Sequence, residues 1–196
     1  MVRRTKKFKI LSMNNPGYEK LKRKIRIWLY IFVIFLLLSG LTAFPLNWEL
    51  EILHNMTGEG TSIEKTLPGL SKWIAKVYTG LKETDQKYPF IGYGTDWLAF
   101  AHIVIAIAFI GPIRDPIKNV WVVEFGIIAC ILVIPLALIC GPIRQIPFYW
   151  RLIDCSFGIL GIIPLLIIRK YIKSLEESSP NQKSLVGQNP ANKTDT

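Results

Sequence analysis

Val120 to Gly141 reads "VWVVEFGIIACILVIPLALICG", an apolar run with one charged residue, Glu124. As a helix it is about 33 Å long at about 1.5 Å per residue. The hydrocarbon core of a bilayer is about 30 Å thick. A soluble core rarely needs an unbroken apolar run of this length, so the segment reads as a transmembrane helix. Pro135 falls inside it and marks a place to kink, with the freed carbonyl satisfied by a neighbouring helix.

Working outward, the same criterion finds three more spans. They are Ile27 to Leu46, "IWLYIFVIFLLLSGLTAFPL"; Trp97 to Ile113, "WLAFAHIVIAIAFIGPI"; and Leu152 to Ile168, "LIDCSFGILGIIPLLII". The last two are near the lower length limit and extend naturally into "YGTD" and "PFYWR". The first run is longer than the apolar core of a secretory signal, and "LTA" is a poor cleavage site, so it reads as a retained anchor. The expected fold is therefore all-α: a polytopic four-helix transmembrane bundle. Residues 1–26 form a basic tail, residues 27–168 the membrane domain with an outer segment at 47–95, and residues 169–196 a polar tail expected to be disordered.

The formal net charge is +10. Nucleic acid is an unsuitable partner for that excess, because it flanks the spans and lies on no motif-bearing surface. Of the 24 basic residues, 10 precede Ile27, 5 follow Ile168 and 2 lie in the 111–118 turn; the 47–95 segment holds 5 and the 142–151 turn 2. Positively charged loops stay on the cytoplasmic side. Both termini are expected there, in a cell (inner or plasma) membrane, with the N-terminal tail attracting anionic lipid headgroups.

Within the outer segment Ile63, Leu67, Leu70, Ile74, Val77 and Leu81 recur every three or four residues, while Lys65, Lys72, Lys76 and Lys82 fall largely off that line. This predicts an amphipathic helix that starts near Pro68 and stops before "KYPF". Its resting places are the outer membrane interface, the end of the bundle, or a partner protein. Trp73 and Tyr78 suit an interface.

The phrase "GPIR" occurs at Gly111 to Arg114 and at Gly141 to Arg144. Each copy closes an apolar run. It reads as a stop signal: a left-handed glycine, a proline that cannot continue the helix, and an arginine anchor at the negative helix end. A ligand-binding arginine and an internal duplication are the competing readings.

Ionisable residues inside spans are costly and mark candidate sites. His102 lies about 9 Å into its span and Asp154 near the start of its own, both entering from the outer side. With Asp96, Arg144 and Arg151 they form the candidate ligand- or proton-handling group, or a set of ion pairs that locks helices together. At the inner side Glu124 has Arg114 and Lys118 as candidate cations. No catalytic constellation, phosphate loop or metal motif is present, and no cofactor is expected. A bis-histidine haem has only His54 and His102 to draw on. Cys130 reads as packing, while Cys140 and Cys155 both approach the outer face, with their pairing open. Gly126, Gly158 and Gly161, with Ser156, favour close helix contact.

The pattern points to a non-enzymatic interaction or assembly subunit of a membrane complex, with a membrane-protein partner or a second copy. The alternative is a small transporter or lipid- or anion-binding protein that uses the His102/Asp154 group.

Overall fold

The computed structural model describes residues 16–178. The stretch before Pro16 and the tail after Ser178, including the part read as disordered, lie outside the described residues. The described chain is helical, with no strands. Its elements are α1 (Pro16–Leu41), α2 (Leu46–Thr57), α3 (Ser62–Thr66), α4 (Pro68–Lys87), a 3-10 turn at Pro89–Ile91, α5 (Tyr93–Ala108), α6 (Ile110–Arg114), α7 (Val120–Ile143) and α8 (Phe148–Glu177). Four stretches are long and apolar enough to cross a membrane: Pro16–Leu41, Pro89–Arg114, Val120–Ile143 and Phe148–Glu177. The fold class is that of an all-α polytopic membrane protein.

The helix boundaries differ from the apolar runs for local physical reasons. The first helix ends at Leu41 and not at Leu46, because Pro45 disfavours helical backbone before it. Hydrogen-bonded turns fill the gap, with the Ala43 N–H donating to Gly40 at 3.1 Å and the Phe44 N–H to Leu41 at 3.2 Å. At its other end α1 reaches back into the basic tail as far as Pro16. Helix α8 likewise runs on to Glu177, nine residues past the end of its apolar run. Residues 169–177, read from the sequence as the start of a disordered tail, are thus helical.

The chain divides into two compact units. One contains the described residues through Phe32, Phe109–Arg144 and the residues from Tyr149 onward. Its core is apolar: Ile25 and Leu29 of α1, Phe109, Val123 of α7, and Leu165, Ile168, Ile172 and Leu175 of α8 are fully buried. The last four recur every three or four residues, which is why α8 stays helical beyond the hydrocarbon-length run. Outward positions remain apolar too, among them Leu132, Leu136 and Ile139 on α7 and Leu160 and Leu166 on α8. In water such a surface would be a liability; in a bilayer it is the lipid face.

Helices α7 and α8 pack antiparallel in a register set by small residues. A Cβ on Gly158 would meet the Cys130 carbonyl oxygen at 2.5 Å, and one on Gly161 the Cys130 Sγ at 3.0 Å. One on Gly126 would meet Leu165 and Phe109 at 3.0 Å. Moving down α7 from Gly141 to Glu124, the partners climb α8 from Arg151 to Arg169. Pro135 and Pro164 sit inside continuous helices.

The second unit comprises Val33–Ala108 and Gln145–Phe148. Residues 46–87 of it form a helical hairpin. Helix α4 starts at Pro68, as the sequence predicts, and ends where Pro89 follows, with the Tyr88 N–H donating to Thr84 at 2.6 Å. It packs against α2, an element the sequence reading did not separate from the outer segment. Ile74 is buried; the Ser71 hydroxyl donates to the Thr57 carbonyl at 2.6 Å; and the His54 and Tyr78 rings stack at 4.6 Å. The Gly58–Thr61 connection is pinned by Gly60, which takes a φ of 80°. Thr61 accepts from the Glu64 N–H, and the Glu64 carboxylate accepts from the Gly60 N–H at 2.7 Å. This is a reciprocal cap on α3.

The GPIR phrases do not act as left-handed stops. Gly111 lies within α6 and Gly141 within α7. Among the described residues the positive-φ positions are Gly60 and Gln145, the latter at 57°. The first phrase is closed from outside. The Asn119 amide donates to the carbonyls of Gly111 (3.1 Å) and Asp115 (2.9 Å), and Arg26 Nε of α1 donates to the Ile113 carbonyl at 3.2 Å. The orphan carbonyls at a helix end need partners, and here side chains supply them.

Candidate functional site

The five residues of the candidate ligand- or proton-handling group fall into two sets. Arg144, Arg151 and Asp154 belong to the unit built on α7 and α8, and His102 and Asp96 to the other. Arg151 is placed by Gly141. The Arg151 side-chain stem lies where a Cβ on that glycine would be, with Cγ 2.6 Å from it. The second GPIR glycine therefore makes room for an arginine from the next helix. Asp154 follows one turn later on α8 and is partly buried. Arg144 is exposed at the end of α7, its N–H donating to Cys140 at 3.0 Å.

His102 sits on α5, partly buried, with Nδ1 2.8 Å from the Leu98 carbonyl oxygen. A carbonyl only accepts, so Nδ1 is the donor in this contact. Its Cβ abuts Gly40 of α1, and a side chain at position 40 would collide with it. The histidine is thus fixed by a close helix contact and a bond to its own preceding turn. Asp96 is exposed in the first turn of α5.

The cation on Glu124 is Arg169, with Nη2 and Oε1 2.8 Å apart. Of the two cations that the sequence suggested, Lys118 pairs with Asp115 at 3.7 Å in its own turn, and Arg114 is exposed. The α7–α8 register brings position 169 to position 124, whereas the 115–118 turn holds its lysine locally. Arg169 was missed because it lies one residue past the apolar run; the stripe through Ile168, Ile172 and Leu175 carries the helix to it. Both partners are more than a third exposed, which limits such a pair to about 0–1 kcal/mol in water. Nearby, Lys24 of α1 lies 5.9 Å from the Tyr171 ring of α8.

Cys130, Cys140 and Cys155 are free thiols, and Cys155 is buried. Among the described residues no group of three His, Cys, Asp or Glu side chains is arranged to hold a metal.

Together the helices define the class: a multi-pass, all-α membrane protein with a helical hairpin between its first two spans. No family model, no curated protein and no solved structure matches this chain.

Proposed function

We propose that this protein is a non-enzymatic accessory or assembly subunit of a membrane complex, with another membrane protein as its partner. One observation carries the reading: the fully buried side chains of the four spans are apolar, with the Arg151 Nε beside Gly141 a buried polar atom among them. Among the described residues, the buried polar side chains are Thr57 and Ser71, both in the outer hairpin. A transport path or catalytic centre needs polar groups turned into the interior. Here α7 and α8 meet through Gly126 and Gly158 with side chains filling the interface, a design for rigidity and display.

In this reading both termini are cytoplasmic and the hairpin faces the opposite side of a cell membrane. The basic residues Lys20, Lys22, Arg23, Lys24 and Arg26, joined by Arg169, Lys170 and Lys173, attract anionic headgroups of the inner leaflet. The exposed lysines of α4, Lys72 and Lys76, supply a polar face for the partner's outer surface.

A second reading rests on His102, held by its Nδ1 contact to Leu98, and on the partly buried Asp154. It makes the protein a small transporter or anion-binding protein. Native mass spectrometry after gentle solubilisation from cells separates the two. The first reading expects a defined assembly in which this 22.4 kDa chain is joined by a different membrane protein, with the assembly released by Lys72→Glu/Lys76→Glu and unaffected by His102→Gln or Asp154→Asn. A chain that runs alone or only with copies of itself contradicts it. Solute uptake by purified vesicles that His102→Gln and Asp154→Asn abolish establishes the second.

A further inference from the structure

We infer that α2 lies in the membrane–water interface, with a phospholipid surface covering its outward apolar stripe, and that α4 rides on the opposite side of α2. This goes beyond the subunit reading and does not depend on it.

The two faces of α2 are already divided. The Thr57 carbonyl and the His54 ring are taken by Ser71 and Tyr78 of α4. Trp48, Ile52 and Met56, spaced four apart, form a different line and are exposed, Trp48 to 63%. Asn47, Glu51 and Asn55 run beside them and give the helix a wet edge. A tryptophan-bearing apolar stripe flanked by polar side chains is the pattern of a helix lying in the headgroup region.

The occupant follows from where the chain places this stripe. Only Thr42–Pro45 separates Leu41, the last residue of a membrane-length helix, from Leu46. Even fully extended, at roughly 3.5 Å per residue, that link cannot carry the start of α2 far from the bilayer surface, and its turns shorten it further. Exposed apolar residues also run from α1 through the link into α2. Ile34, Leu38 and Leu41 are exposed as a lipid face must be, and Phe44 in the link and Trp48, Ile52 and Met56 on α2 are exposed as well. The apolar face of α2 is therefore an extension of the lipid-contacting surface.

The test uses the full-length chain in vesicles of phosphatidylcholine and phosphatidylglycerol, with p-benzoylphenylalanine placed singly at Trp48, Met56, Phe35 or Lys76. Phe35, exposed on α1, reports hydrocarbon contact, and Lys76, exposed on α4, reports water. After illumination, mass spectrometry of the intact chain should show phospholipid adducts at positions 48 and 56 with yields like that at 35. The yield at 76 should be at least about tenfold lower. Using two positions on α2 keeps the test decisive if one variant folds poorly. Adducts at 48 and 56 to a second copy of the chain, or no adducts there while 35 reacts, overturn the assignment.

Discussion

Gly158→Ala destabilises the protein by about 1–3 kcal/mol, the usual cost of overpacking, even though alanine is the better helix former by about 1 kcal/mol. The added methyl would stand 2.5 Å from the Cys130 carbonyl oxygen, an atom of the α7 backbone. Backbone cannot rotate away, so the two helices must separate along the line that also seats Gly126 against Leu165 and Glu124 against Arg169. Gly141→Ala offers the internal contrast. Its methyl would meet the Arg151 side chain, which can turn away where backbone cannot, and after the helix-propensity gain the change should cost clearly less than Gly158→Ala. Unfolding of the detergent-solubilised protein, followed by helical circular dichroism, measures both. Equal effects at the two glycines would mean that α7 and α8 are not in this register.

Ile74→Asp opens the outer hairpin. Ile74 is 2% exposed at the α2–α4 contact. Its burial is worth about 1.5–3 kcal/mol, and a carboxylate left there without a partner adds about 1–3 kcal/mol. A small two-helix element has little stability to lose, and such elements open locally without global unfolding. Trypsin should then cut rapidly after Lys72 and Lys76, while the spans stay inserted and α7 and α8 keep their protection. Thr79→Asp, on the exposed side of the same helix, should leave the cleavage rate unchanged. Resistance of the Ile74→Asp protein would show that this face of α4 is not the one covered by α2.

Hydrophobic length alone made the four spans readable, because a membrane imposes it directly on composition. Pro68 and the proline after Tyr88 made the limits of α4 readable as well, since proline acts locally on the backbone. Gly126, Gly158 and Gly161 were legible as contact points, though their partners were not; a partner depends on register, which no single helix encodes. That is also why Arg169 was missed as the ion-pair partner of Glu124. Helix α2 was hidden by its neighbour: the apolar run of the first span appears to the eye to continue to Leu46, and Pro45 was passed over as a breaker. The GPIR phrases misled for a related reason. Glycine followed by proline near a span end suits a left-handed stop, but Gly141 is small to admit Arg151 from another helix, and Asn119 and Arg26 close the other end from a distance. For the candidate site, residue type and depth were legible at His102 and Asp154. The bond of His102 to Leu98 and its seat against Gly40 required the fold.

The central claim, that the chain crosses the membrane four times with the hairpin on the side opposite both tails, is tested by labelling single cysteines in intact cells with an impermeant thiol reagent. The parent protein carries Cys140→Ser, because that native thiol is exposed. Gln86→Cys, at the end of α4, should react at once. Thr5→Cys and Asn192→Cys should react only after the cells are permeabilised, and both should behave alike because an even number of spans lies between them. Opposite behaviour of positions 5 and 192 would contradict the four-span count, and labelling of both tails with Gln86→Cys protected would reverse the orientation.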